Sequence, residues 1–375
     1  MLIYLGFSAV VAFMATLLLL RFGHPSLPAA AHLVFAVGIM PLIFAAISHF
    51  VPVLTRSGHP HRHLLLAPLL LQLTGVLAFL DFTGAVPAGS TPAAVAALLV
   101  SILFSGWLLR RARHTVGRPH PGWLWYFAAI VNLDLALMLV PAMNWWPQVR
   151  NELRLLHLHL NTLGFVGLTA LGTLQVLLPT ALSDPDADAA QRLRHDLPWA
   201  AGGALLVAIG AACWPPLALS GAVMYLAVVF RIGLAWLRRY GWRTIAGDGA
   251  AASLAAALAG FLLVLVLGIA HAFKALDGRD AVPAFVVAFL LPLVTGALAQ
   301  LLPVWFHPGK RTPARTRMHA ALRCGGSLRS PVFILGGILL ALGIDEGMWL
   351  AAAGMLSFSG ALTNSLLAIR SESDQ

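Results

Sequence analysis

The chain has 375 residues, of which 59% are hydrophobic and only 10% charged, with a formal net charge of +10. Soluble globular domains carry about 25% charged residues, so this composition excludes one and belongs to a lipid-embedded chain. The positive charge does not point to nucleic acid, because nearly every Lys and Arg falls in a short gap between apolar runs.

Apolar runs of about 18 or more residues read as membrane helices. In chain order they fall near 2–20, 30–54, 64–82, 92–109, 123–142, 156–182, 197–214, 216–236, 251–273, 281–304, 330–344 and 347–369. The first is long enough to span and has no basic segment before it, so it reads as a helix and not as a cleavable signal. The seventh and eighth are separated only by Cys213-Trp214-Pro215-Pro216, which makes that pair the weakest point of the count. Trp123, Trp145 and Trp146 stand beside span ends, where indole rings anchor at the interface. The expectation is an all-α integral membrane protein with about twelve transmembrane helices in a single transmembrane domain, 1–375.

Orientation follows from the loops. In or beside the gaps after even-numbered spans lie Arg56 and Arg62; Arg110, Arg111, Arg113 and Arg118; Arg192 and Arg194; Arg231, Arg238, Arg239 and Arg243; then Lys310, Arg311, Arg315, Arg317, Arg323 and Arg329, with Arg370 at the tail. Gaps after odd-numbered spans hold only Arg21, Arg150, Arg154, Lys274 and Arg279. Short cytoplasmic loops are enriched in Lys and Arg, so both termini are expected in the cytoplasm of a bacterial inner membrane. Cys213 and Cys324 then fall on opposite sides, and no disulfide and no cysteine metal motif is expected.

Three even-numbered spans end alike: Ser48-His49-Phe50-Val51-Pro52, Gln175-Val176-Leu177-Leu178-Pro179 and Gln300-Leu301-Leu302-Pro303. The prolines stand 127 and 124 residues apart, close to a third of the chain. Pro is common near membrane helix ends, but three similar endings at one interval predict pseudo-repeats of four helices, approximately 1–122, 123–250 and 251–375. The same interval relates His32 to His159. In the third repeat the station is Pro283.

The histidines divide by setting. His59, His61, His63, His114, His120, His195 and His319 lie in basic loops and read as solvated surface, as does His307. His32, His157, His159 and His271 instead lie within or at the ends of apolar spans, and the topology puts all four in the outer part of the membrane. Polar groups there are disfavoured unless they face the protein interior. Imidazole binds iron, copper and zinc and is a standard axial ligand of haem, so these four are the candidate ligands of haem iron or copper. Each could equally be a hydrogen-bonded structural histidine. Residues two apart point about 200° apart on a helix, so His157 and His159 serve different neighbours. The small, polar stretch from Asn161 through Gly164, Gly167, Thr169 and Gly172 to Thr173 permits close approach of a helix or of a flat macrocycle. His49 lies a helix length from His32 and belongs to a different depth. Asp134, near the middle of a span, is a candidate proton or ion relay, or a buried structural partner.

The run His157-Leu-His159-Leu-Asn161-Thr-Leu-Gly164 through Gln175 and Pro179 resembles segments of stand-alone relatives of haem-copper oxidase subunit I. His32 with Gly38, followed by Leu54-Thr55-Arg56-Ser57-Gly58-His59, is similar to a stretch of the NnrS family of haem- and copper-containing membrane proteins of the nitric oxide response. The resemblance implies haem b, with copper as a second cofactor to consider, a twelve-helix fold in three arcs, and respiratory or other redox membrane proteins as partners. The chain departs from catalytic oxidase subunits: it has no adjacent His pair, four Tyr in all, and no His within 281–304. The implied function is a haem-binding protein with a reduced ligand set, oxidoreductase-like if it turns over a substrate. The alternative is a proton- or ion-coupled transporter with no redox cofactor. A true oxygen or nitric oxide reductase ranks third because of the missing ligands. No His-Glu-x-x-His pattern and no soluble domain is present, which leaves metalloprotease and nucleic-acid roles without support.

Overall fold

The computed structural model describes every residue except His24, His59, Arg279, Asp374 and Gln375, with side chains described as far as Leu367. His59 of the 59–63 histidine tract and Arg279 therefore lie outside the described residues. The chain is all helical, with 84% of its residues in helix and no strand among the described residues. Twelve helices are long and apolar enough to cross a membrane, and the protein is a multi-pass membrane protein. They are span 1 (Leu2–Gly23), span 2 (Leu27–Leu54), span 3 (Leu64–Phe82), span 4 (Ser90–Arg113), span 5 (Gly122–Trp145), span 6 (Pro147–Ala181), span 7 (Ala189–Cys213), span 8 (Pro215–Tyr240), span 9 (Gly249–Ala272), span 10 (Ala281–Phe306), span 11 (Pro313–Ala341) and span 12 (Gly347–Leu367). A helix satisfies its own backbone N–H and C=O groups, and it is the way such apolar segments cross hydrocarbon one at a time.

The doubtful pair is two helices, because Trp214 turns to φ −157°, ψ 100° and ends span 7 before Pro215 opens span 8. Two boundaries differ from the sequence reading. Span 6 starts earlier, since the polar segment Arg150–His159 continues the helix beyond the apolar run. Span 11 also starts earlier: the basic stretch expected as a loop is the helix Pro313–Arg323. Thr312 caps it, its side chain accepting from the Arg315 N–H at 3.2 Å, and Pro313 occupies the first turn. Met318 and Leu322 are its only buried side chains, too sparse an apolar pattern to stand out among the arginines. Gly325, at φ 72°, breaks the helix before Gly326–Ala341 resumes it.

By contact the chain divides into two compact units, Met1–Thr173 with Ala187–Val228, and Leu174–Asp186 with Val229–Gln375. In both units the spans differ in enclosure. Span 6 is 89% buried over its most apolar window, span 10 72% and span 2 56%, whereas no other span exceeds 44%. These are the three spans with matching proline endings. They also share a backbone feature: each has a π-helical stretch early in its course, at Leu33–Ile39, Leu160–Gly167 and Val286–Leu290.

A π-helical turn widens the helix and leaves carbonyls that the normal i→i+4 ladder would have used. Each stretch meets a neighbour that suits those carbonyls. In span 2, Gln72 of span 3 donates to the Val37 carbonyl at 3.3 Å, and Gly75 packs so closely on the Ala36 carbonyl that a Cβ would overlap it. In span 6, the buried Tyr225 hydroxyl of span 8 donates to the Leu163 carbonyl at 2.9 Å. In span 10, Gly260 of span 9 stands against the Ala288 carbonyl, again with no room for a Cβ.

Candidate functional site

His32 ends the short helix Leu27–His32 that opens span 2, just before its π stretch. The helix is set by Ser26, whose hydroxyl accepts from the Ala29 N–H at 3.3 Å, and by Pro28 in its first turn. One turn back from His32, the Pro28 carbonyl lies 2.7 Å from the His32 Nδ1. The ring also stacks on Phe82 at the end of span 3, with centroids 4.4 Å apart. His157 and His159 end the first segment of span 6, again just before a π stretch. The His157 Nδ1 lies 2.9 Å from the Ala136 carbonyl of span 5, whereas the His159 Nδ1 bonds the Leu155 carbonyl of its own helix at 2.8 Å. The two rings thus face different surroundings, as their spacing requires.

His271 belongs to the second unit, at the end of span 9. Its Nδ1 lies 3.0 Å from the Leu276 carbonyl, and Gly278 leaves no space for a side chain against the ring. A shallow cleft lined by Leu267, His271, Leu276, Asp277, Ala281 and Ala341 opens beside it, with room for about one water molecule and none for a macrocycle.

All four candidate histidines therefore share one arrangement. A carbonyl oxygen can only accept, so each Nδ1 carries the proton and each Nε2 keeps its lone pair. Metal-ligating histidines almost always have this second bond, which fixes ring orientation and tautomer. Of the histidines read as surface, His319 also bonds a backbone carbonyl, that of Ala299, while others are placed differently. The His120 Nδ1 accepts from the Gly122 N–H at 3.3 Å, the His195 Nδ1 meets the Asp196 carboxylate at 3.4 Å, and His61 and His63 stack on each other at 4.8 Å. His120 also donates its backbone N–H to the Leu54 carbonyl at 2.9 Å. Burial, and next the positive charge of Arg194, hold the His120 imidazole below its ordinary pKa.

Within the first unit His32 and His157 lie within electrostatic reach of each other. Both are half-buried, as is His159, while His271 is exposed. Among the described residues no group of three or more His, Cys, Asp or Glu side chains is gathered closely enough to hold a metal ion. The arrangement therefore suits a group that takes one or two imidazoles from the protein. Haem iron is such a group.

The small-residue face of span 6 is filled by span 5. Gly164 receives Asn132 and Gly172 receives Trp125, both at distances that exclude a Cβ. Asn132 itself donates to the Ala128 carbonyl at 2.8 Å. Two residues on, Asp134 is half-buried and its Oδ1 has no hydrogen-bond partner. Span 4 packs closely along span 5 and contributes Ser101 and Ser105, buried and one turn apart; Ser101 lies within side-chain hydrogen-bonding reach of the Asp134 carboxyl, and the Ser105 hydroxyl has no partner. The sequence reading missed both serines, as it missed Tyr225. The signal was a pair of hydroxyls four residues apart in an otherwise apolar span, and a lone phenol in another.

Comparison with protein-family models, with curated proteins and with solved structures matches none of them.

Proposed function

We propose that this chain is a haem-binding membrane protein, with copper as a second metal to test, that uses imidazoles from His32, His157, His159 and His271. The observation that carries the reading is the shared bond from Nδ1 to a backbone carbonyl at all four positions, which leaves each Nε2 lone pair in the ligating form. In the first unit, His32 and His157 are the pair to hold the iron of a b-type haem, with Phe82 packed on the first ring. Bound haem would supply one-electron or diatomic-gas chemistry, and His32 and His157 would hold its iron in apolar surroundings.

The reading extends to a relationship with stand-alone, NnrS-like members of the haem-copper oxidase subunit I superfamily, and to a role in nitric oxide response or respiratory redox chemistry. Support comes from the repeat: three enclosed spans at one interval each carry a π stretch and a proline ending. A triplicated four-helix unit accounts for all of these at once. The distribution of arginines supports a bacterial inner membrane with both termini cytoplasmic.

Purified from haem-replete cells, the protein is expected to show a Soret band and a pyridine haemochrome of the b type. His32→Ala and His157→Ala should each abolish or shift the band, while His61→Ala leaves it unchanged. A colourless, metal-free preparation refutes the reading.

One observation favours a second reading, a proton- or ion-coupled transporter without redox cofactor. Asp134, Ser101 and Ser105 place a carboxyl and two hydroxyls between two apolar spans, with Ser101 in reach of Asp134, and ionisable groups at such depth mark ion pathways. Coupled uptake into proteoliposomes that Asp134→Asn abolishes and His32→Ala spares would decide for it.

A further inference from the structure

Independently of the haem reading, the geometry points to a binding site for a phosphate-bearing anion at the start of span 11, built from Arg311, Arg315 and Arg323 with His307. From His307 to Arg329 the chain contains no Asp or Glu. Arg315, His319 and Arg323 follow one another at helical spacing of four, so they lie along one face of the helix Pro313–Arg323. Arg311, Arg315 and Arg323 all bear electrostatically on His319.

Among the described residues, a carboxylate meets this group at Arg323. Asp248 takes Arg323 Nη1 at 2.7 Å, and the Arg323 Nη2 donates to Gln300 Oε1 at 2.6 Å. Arg315 is held by the Gly309 carbonyl at 3.1 Å, and Arg311 by the Thr316 hydroxyl at 3.3 Å. These bonds position the guanidiniums without neutralising them. Beyond them, the buried guanidinium nitrogens Arg315 Nε and Arg323 Nε lack any hydrogen-bond partner, as does His307 Nε2, whereas the His319 ring donates to the Ala299 carbonyl. Unpartnered donors beside uncompensated positive charge are what a phosphate oxygen satisfies, since Arg presents a planar fork matched to phosphate. The site stands where span 10 ends and span 11 begins. Basic pockets at such a level bind the phosphate of an anionic phospholipid headgroup, and free phosphate offers the same chemistry.

The full-length protein in a neutral detergent would be titrated with short-chain phosphatidylglycerol, short-chain phosphatidylcholine or sodium phosphate, with thermal unfolding and native mass spectrometry as readouts. Saturable stabilisation by phosphatidylglycerol but not phosphatidylcholine is the expected result and identifies a lipid as the source. The same stabilisation by sodium phosphate alone supports the site and identifies the free anion. Arg315→Gln should weaken binding by about ten-fold or more, the loss of one charge-assisted hydrogen bond. Arg315→Lys should weaken it too, because the point charge remains but the fork does not. Arg317→Gln removes the same charge from the opposite side of the helix and should change binding by less than about two-fold. Circular dichroism confirms that each variant is folded, and Arg311→Gln, on an exposed residue, carries the comparison with Arg317→Gln if Arg315→Gln does not fold. No saturable effect of either phosphate-bearing probe on the wild type, or equal losses in the site variant and Arg317→Gln, overturns the proposal.

Discussion

Spans 6 and 10 have the same backbone device and opposite chemistry. Each carries a π stretch at the same station of the proposed repeat, and each meets a neighbouring span that suits its freed carbonyls. Ahead of the stretch in span 6 stand His157 and His159, with Asn132 and Tyr225 brought in by adjacent spans. The equivalent place in span 10 has Pro283 and an aromatic cluster. Phe261 and Phe289 lie 4.7 Å apart and Phe285 and Phe289 5.0 Å apart, all three buried. A π turn is thus a way to pack a helix closely as well as a way to open a site. Polar side chains arriving from neighbouring spans distinguish the two cases.

The comparison can be broken at several points, and beyond the loss of the Soret band the largest effect is expected in the dry case. Phe289→Ala should destabilise the protein by about 3 kcal/mol or more, since it empties the middle of an aromatic cluster. Reversible unfolding in detergent measures it, and a loss below about 1 kcal/mol would mean that the cluster is loosely packed. In the polar case the phenol hydroxyl is the test. Tyr225→Phe keeps the ring and strands the buried Leu163 carbonyl, for an expected loss of about 1–3 kcal/mol. If spectra are intact but shifted in that variant, the π stretch also tunes the haem site.

How far these regions were legible follows from which forces set them. The twelve spans could be read from hydropathy because the requirement that lipid imposes on each segment is local. His157 and His159 were recognisable as ligand candidates for the same reason, being imidazoles in apolar company. The Ala136 carbonyl that meets His157 comes from another span, and nothing in the spacing of residues announces it. The helix Pro313–Arg323 was hidden by its own charges.

The smallest expected effect lies outside the membrane and concerns His120, between spans 4 and 5. Its pKa is lowered in the folded protein by burial and by Arg194. The unfolded chain then binds a proton that the folded one refuses, so this contribution is complete above the ordinary histidine pKa and declines as pH falls through it. His120→Gln should flatten that part of the stability–pH profile between about pH 7 and 5. An unchanged slope would assign it to other groups.

By itself the amino-acid sequence determined an all-helical chain of twelve membrane-crossing helices, because each span must satisfy its backbone and match its surface to lipid without help from the rest. It also determined the proline endings that mark out three of those spans and the histidines that stand in two of them. Only the tertiary structure decided which carbonyl meets His157, where the helices loosen into π turns, and how guanidiniums gather at the start of span 11. Those depend on carbonyls, hydroxyls and charges delivered from distant parts of the chain, and their positions exist only once the helices are packed.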